Sequence, residues 1–222
     1  MDKKISRRTA IQLGLGAAAG SVAGAAVPGT STGDCTTPAQ TEGPFYPKHQ
    51  QVDKDADLTM VDGQTGAAKG EVIFVSGVVI DQSLKPVSGA LVDVWQANTH
   101  GKYRHEDDPN TAPDDPQFQG WAQLRTDEDG RFGFKTIFPG AYPVDDSWWR
   151  PPHIHFKVAK RGYHELTTQM YFAGDKLNAT DTILSELDEA ERSRVVVEFA
   201  ASDQHGGARA GHFNIMITKV VA

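Results

Sequence analysis

The sequence predicts an all-β protein, an antiparallel β-sandwich with long active-site loops and one short surface helix. Three observations predict it. Short runs rich in β-branched and aromatic residues recur along the chain, clusters of Gly, Pro and Asp punctuate them, and one stretch alone carries the apolar spacing of a helix. The runs are Val72 to Ile80, Ala90 to Gln96, Trp121 to Arg125, Arg131 to Thr136, His153 to Val158, Glu165 to Phe172, Val195 to Phe199 and His212 to Val220. Many short strands with regular turn signals are the pattern of a sandwich. Asp127-Glu128-Asp129-Gly130 reads as a hairpin turn, because Asp and Gly accept the backbone angles of a tight reversal. Ala97 to Gly120 is polar and contains prolines; a loop of that length in a compact domain is usually functional, so it is assigned to the active-site wall. The helix is expected from Asp181 to Arg192, where Asp181 can cap the first turn and Ile183, Leu184 and Leu187 share a face.

At 222 residues with 39% apolar content, the chain holds one well-buried core and is too short for two full domains. The expected organisation is an export signal over 1–27, a flexible linker over 28–41 and one catalytic domain over 42–222. The signal has a basic start (Lys3, Lys4, Arg7, Arg8), a weakly apolar run from Ile11 to Val27, and small residues around Ala23-Gly24-Ala25. Ser6-Arg7-Arg8-Thr9 resembles a twin-arginine signal, the route of folded proteins, with Ala10 where such signals often have Phe. An ordinary secretory signal or a transit peptide shares the basic start. The low hydrophobicity of the run argues against a stable membrane anchor, and the expected location is periplasmic or extracellular. The linker is rich in Pro, Gly, Ser and Thr and has no periodicity.

Net charge at pH 7 is -7, and loss of the basic signal would leave the remainder more acidic still. No Lys/Arg cluster follows the first residues, which argues against a nucleic-acid partner and for a small-molecule one. Cys35 is the only cysteine, so no intrachain disulfide can form; a free thiol suits a chain that folds and takes up metal before export.

The strongest chemical signal is His153-Ile154-His155 inside a strand. Side chains at i and i+2 lie on one face, about 6.6–6.8 Å apart at the backbone, so two imidazoles can converge on one ion. Ile154, Phe156 and Val158 take the opposite face and point to the core. Alone, His-x-His is better read as a surface or hydrogen-bonded pair than as a metal site. Arg150-Pro151-Pro152 leads into this strand with a fixed backbone. Two more segments keep it company: Phe138-Pro139-Gly140-Ala141-Tyr142-Pro143, a tyrosine in a rigid turn, and Asp93-Val94-Trp95-Gln96-Ala97-Asn98 running on to Gly101-Lys102-Tyr103-Arg104-His105.

With Thr41-Glu42-Gly43-Pro44-Phe45-Tyr46 and Gln169-Met170-Tyr171-Phe172, these segments resemble the intradiol ring-cleavage dioxygenases, the family of protocatechuate 3,4-dioxygenase and catechol 1,2-dioxygenase. The resemblance implies an iron(III) enzyme that cleaves a catechol-type ring with O2 to a muconate-type diacid. It makes Tyr103, Tyr142, His153 and His155 the metal ligands, with Tyr142 the ligand that leaves and takes a substrate proton. Arg150 and Gln169 fall on positions that stabilise and orient the substrate. Phenolates and neutral imidazoles suit a trivalent iron, whose charge would itself deprotonate the tyrosines. Val144 stands where protocatechuate enzymes have Trp, and the helical N-terminal region of catechol 1,2-dioxygenases is absent, so the substrate is left open. So is the pairing of the chain with itself or with a second chain.

His49, His100, His164, His205 and His212 lack a partner at ligand spacing and read as ordinary histidines; His105, two residues from Tyr103, is at best behind the ligands. Glu106-Asp107-Asp108 reads as a solvated loop, and Trp148-Trp149 as packing or pocket rim. Two rival readings have different chemistry. Val78 to Asp81, Pro86 to Ala90 and Thr126 to Phe132 also resemble transthyretin-like β-sandwich binding modules, which lack the tyrosine and histidine set. A cupin uses His-x-His but adds a glutamate a few residues on, where this chain has Lys157-Val158-Ala159-Lys160.

Overall fold

The computed structural model describes residues 35–49, 51 and 53–221; the expected export signal and the start of the expected linker lie outside them. Two sheets face each other. In chain order the strands are β1 (Val72–Asp81), β2 (Leu91–Trp95), β3 (Trp121–Arg125), β4 (Arg131–Ile137), β5 (Tyr142–Pro143), β6 (Trp149–Arg150), β7 (His153–Ala159), β8 (Leu166–Phe172), β9 (Val196–Val197), β10 (Phe199–Ala201), β11 (Arg209–His212) and β12 (Ile215–Ile217). One sheet runs β10-β11-β1-β12 with β4 also on β1, the other runs β3-β2-β7-β8-β9, and β5 and β6 form a small hairpin.

Strand β1 alternates half-buried and buried residues along its whole length, as a strand with one face on a core must. Ile73, Val75 and Val79 pack inward against Val92, Val94, Ile154, Phe156, Val158 and Met170 of the opposite sheet. Phe156 lies 6.1 Å from both Phe132 and Phe134 and 5.0 Å from Phe213 between ring centroids. Burial of each such side chain contributes about 1.5–3 kcal/mol, so the alternation holds the sandwich together.

The sandwich is as expected, but three of its pairings are parallel: β1 with β11, β1 with β12, and β8 with β9. The expected strand His212 to Val220 is two strands, because the chain bends at Phe213 to bury its ring. The bend fits against Gly77, where a Cβ would lie 1.9 Å from the Phe213 carbonyl oxygen. The expected run Val195 to Phe199 is likewise split between the two sheets, as β9 and β10.

The helix also differs from expectation. Asp181 does cap it, but α1 (Thr182–Ser185) stops, and α2 (Glu189–Val195) starts afresh from Asp188, whose side chain and that of Glu191 form a reciprocal capping box. A second strong cap six residues before Arg194 competes with continuation, and the break lets Leu184, Leu187 and Val195 all reach the core. Among the described residues no helix is long and apolar enough to cross a membrane.

Residues 37–41 fall in the stretch read from composition as linker, yet they are tied to the sandwich. Thr37 exchanges bonds with Met216, Gln40 N–H donates to the Thr167 carbonyl at 2.9 Å, and Thr168 Oγ1 donates to the Pro38 carbonyl at 2.8 Å. This strap continues to Tyr46 over the outer face of the β2-β7-β8 sheet. There a second cluster of buried rings collects: Trp95, Tyr103, Trp121 and Tyr142, with Phe45 and Tyr46 packed on it.

Candidate metal centre

Strand register assembles the site row by row. Trp95 of β2, His155 of β7 and Gln169 of β8 are cross-strand neighbours, and His153 is opposite Tyr171 in the next row. The histidines share the outer face, as their spacing requires, while Ile154, Phe156 and Val158 fill the core. Trp95 stacks on His155 with centroids 4.7 Å apart and planes 9° apart, which fixes the plane of that imidazole. His153 Nδ1 donates to the Pro151 carbonyl at 2.7 Å, so its Nε2 presents a lone pair to the site.

Tyr103 comes from the long loop, and the loop is pinned from within. Asn98 Oδ1 accepts from the N–H groups of His100 and Lys102, and Asp108 Oδ2 accepts from Tyr103 N–H at 2.7 Å. Asp108 is therefore not merely a solvated loop acid, as read from the sequence; it holds the turn that carries Tyr103. The Tyr142 segment packs directly on this loop through two glycines. A Cβ on Gly101 would lie 2.2 Å from the Ala141 carbonyl oxygen, and one on Gly140 would lie 2.3 Å from Gly101 N. Backbone contact this close brings the two tyrosine rings to 5.6 Å, edge to face.

The result is a triangle of donor atoms. Tyr103 Oη lies 3.2 Å from His153 Nε2 and 3.1 Å from His155 Nε2, and the two nitrogens are 3.2 Å apart. Tyr142 flanks it, with its ring 5.7 Å from that of His153. One phenol proton cannot satisfy three such atoms packed away from water. Atoms that share one ion at about 2.0–2.1 Å lie roughly 3 Å apart when adjacent, so the triangle has the dimensions of one face of a coordination sphere. Among the described residues no group of three or more His, Cys, Asp and Glu side chains converges. The oxygen donors here are phenols, which separates the site from the histidine-carboxylate sets of cupins.

Electrostatics point the same way. Burial, and then the nearby Arg150 guanidinium, hold His153 and His155 well below the ordinary histidine range, so both stay in the neutral form that ligates. Burial pushes the Tyr103 hydroxyl well above its usual range, and negative charge at Tyr142 adds to this; burial raises Tyr142 as well. Phenols in this environment ionise only against a strong positive charge at the same place. The donor set thus fits a hard, highly charged ion.

Behind the donors sits Arg150, 4% exposed and register partner of Tyr142 on the β5–β6 hairpin. Its Nη2 donates to Gln169 Oε1 at 2.6 Å and to the Tyr171 hydroxyl at 3.3 Å. All six residues singled out from the sequence therefore lie in one place. Reading the sequence passed over Tyr171, Gln40, Trp95 as a stacking plate, and the second use of Asp181. Tyr171 was findable: it is two residues from Gln169 on a strand and so shares its face. Gln40 carried no signal, since it lies in a Pro- and Thr-rich stretch. It accepts from the Tyr171 hydroxyl at 3.0 Å and donates to the Gln169 carbonyl at 3.0 Å, while Gln169 Nε2 donates to the Thr41 carbonyl at 2.9 Å. His105 lies beside Phe45, with its Nε2 buried and no hydrogen-bond partner. His205 stacks on Phe74 and His212 meets Ser76, both away from the donors.

Fold and donor set define a β-sandwich that presents histidines and tyrosines at one buried point, and the chain matches known proteins. The sequence model of the dioxygenase family covers residues 41–218. The protocatechuate 3,4-dioxygenase β chain of Burkholderia cepacia is 42% identical over 178 residues, 78% of this chain and 76% of that one. The 6-chlorohydroxyquinol 1,2-dioxygenase of Cupriavidus pinatubonensis is 36% identical over 135 residues, and the match spans 45% of its length. The structure of the dioxygenase domain of a dioxygenase carbohydrate-binding protein fusion from the cellulolytic bacterium Streptomyces sp. SirexAA-E is similar with a TM-score of 0.61 and 31% identity, covering 83% of this chain and 99% of that one. The chain belongs to the intradiol ring-cleavage dioxygenase family. That kinship supports ring-cleaving dioxygenase activity and sets aside a transthyretin-like binding module.

Proposed function

We propose that this protein is an iron(III) enzyme that cleaves a catechol-type ring between its two hydroxylated carbons, using O2 and yielding a muconate-type diacid. The observation that carries the reading is the triangle of Tyr103 Oη, His153 Nε2 and His155 Nε2 with edges of 3.1–3.2 Å, flanked by Tyr142. These four side chains would hold the iron, which when bound would draw electron density from the coordinated ring and open it to O2. The chain's own residues supply the rest. Tyr142 Oη accepts one of the two catechol protons, and its place on a two-residue strand of a short hairpin lets it turn away more easily than a ligand on β7. Arg150 faces the reacting ring with a fixed positive charge and stabilises the negative charge that builds there. Gln169 and Tyr171 hold that guanidinium in place. The strap and the rings of Phe45 and Trp95 keep water out, which strengthens each of these interactions. All the groups come from one chain.

The test is iron content with visible absorption. Protein purified from iron-replete cells should hold one iron(III) per chain and be red to purple, from charge transfer between phenolate and iron. A colourless protein with stoichiometric zinc would contradict the assignment.

A further inference from the structure

The carboxylate of Asp181 is wholly buried and its two oxygens are used differently. Oδ2 accepts from the Leu184 N–H at 3.0 Å, which is the ordinary work of a helix cap. Oδ1 accepts from Arg150 Nε at 2.9 Å and from Trp148 Nε1 at 3.1 Å. A four-residue helix needs only the first of these oxygens. The second makes a buried ion pair with the cation of the candidate active site, and no motif in the sequence marked it.

We propose that Asp181 is the positioning residue that aims Arg150 at the bound ring. The inference rests on the reading that Arg150 acts on the substrate. An arginine side chain has several rotatable bonds and, alone, would sample many directions. Here the guanidinium is gripped at its Nε edge by Asp181 and at Nη2 by Gln169 and Tyr171, so both its plane and its direction are set. Tyr171 is in turn held by Gln40 of the strap. Asp181 also supplies the counter-charge that lets a cation sit at 4% exposure beside neutral histidines. The same oxygen also accepts from Trp148 at the end of the β5–β6 hairpin, near Arg150 in the chain.

The separate duties of the two oxygens allow a clean test. Asp181→Ser keeps a side-chain cap for Leu184 N–H and deletes the anion beside Arg150. Asp181→Asn keeps the shape and one accepting oxygen. Both variants would be made in the full chain, iron-loaded, and compared with wild type on a panel of catechols for kcat, KM, iron content, colour and melting temperature. The same changes would be placed in an Arg150→Met background. Aiming predicts that Asp181→Ser keeps iron and colour, lowers kcat about tenfold or more, and moves KM less than about threefold. In the Arg150→Met chain the further loss should be under about threefold, because nothing remains to aim. Wild-type kcat in both variants overturns the proposal. So does an equal loss in the Arg150→Met background, which would assign the effect to the helix cap, or failure of both variants to fold, which would assign Asp181 to the fold. If wild type turns over no catechol, the parent reading fails, a result distinct from any of these.

Discussion

Tyr103→Phe is expected to weaken iron binding by more than about 100-fold and to bleach the visible colour, with turnover falling below detection. The size follows from position. The hydroxyl removed lies within 3.2 Å of both imidazole Nε2 atoms, and loss of groups merely behind a metal ligand already costs about 10–100-fold in affinity. The ring itself stays, packed 4.8 Å from Phe45 and 5.6 Å from Tyr142, so the fold should be kept and the melting temperature of the metal-free protein should move little. Equilibrium dialysis against iron and a visible spectrum check the result. A Tyr103→Phe protein that keeps its iron and its colour would remove the phenol from the proposed ligand set.

Arg150→Met should leave iron and colour in place and lower kcat by about 10²–10³, the usual loss when one group that stabilises developing charge is deleted from a dry site. Stability should fall with it. Asp181 would be left buried without its cation, a situation that costs about 3–5 kcal/mol. Adding Asp181→Ser to the same chain should restore most of the melting temperature and none of the rate. That contrast separates the fold from the chemistry, since a side chain of purely structural importance would recover both. Steady-state kinetics and thermal melts on the single and double variants decide it; full turnover by Arg150→Met would remove the arginine from the mechanism.

Legibility in the sequence followed the range of the interaction. Alternating burial in β1 and β4 is a local pattern, so the sandwich and its core could be read directly. Parallel pairing of β1 with β11 and β12 joins residues more than a hundred positions apart, and no local pattern encodes it. The break between α1 and α2 turned on a choice between one helix and a fresh cap at Asp188, which apolar spacing alone does not decide. In the site, His153 and His155 were legible because a strand puts i and i+2 on one face. Tyr103 and Tyr142 came only from resemblance of motifs: a tyrosine in a turn looks like packing until Gly101 and Gly140 bring the two turns into contact. Gln40 and the Oδ1 of Asp181 were hidden because each matters only through a residue distant in the chain, Tyr171 for one and Arg150 for the other.

The most direct test of the account is the identity of the product formed from a simple catechol under isotopically labelled O2. A site with two imidazoles, two phenols and, among the described residues, no convergent carboxylate supports the proposed activation of the ring by iron(III), and with it cleavage between the hydroxylated carbons. The account predicts a colourless cis,cis-muconate-type diacid that retains at least one labelled oxygen. A yellow semialdehyde, the product of cleavage beside the diol, would contradict it.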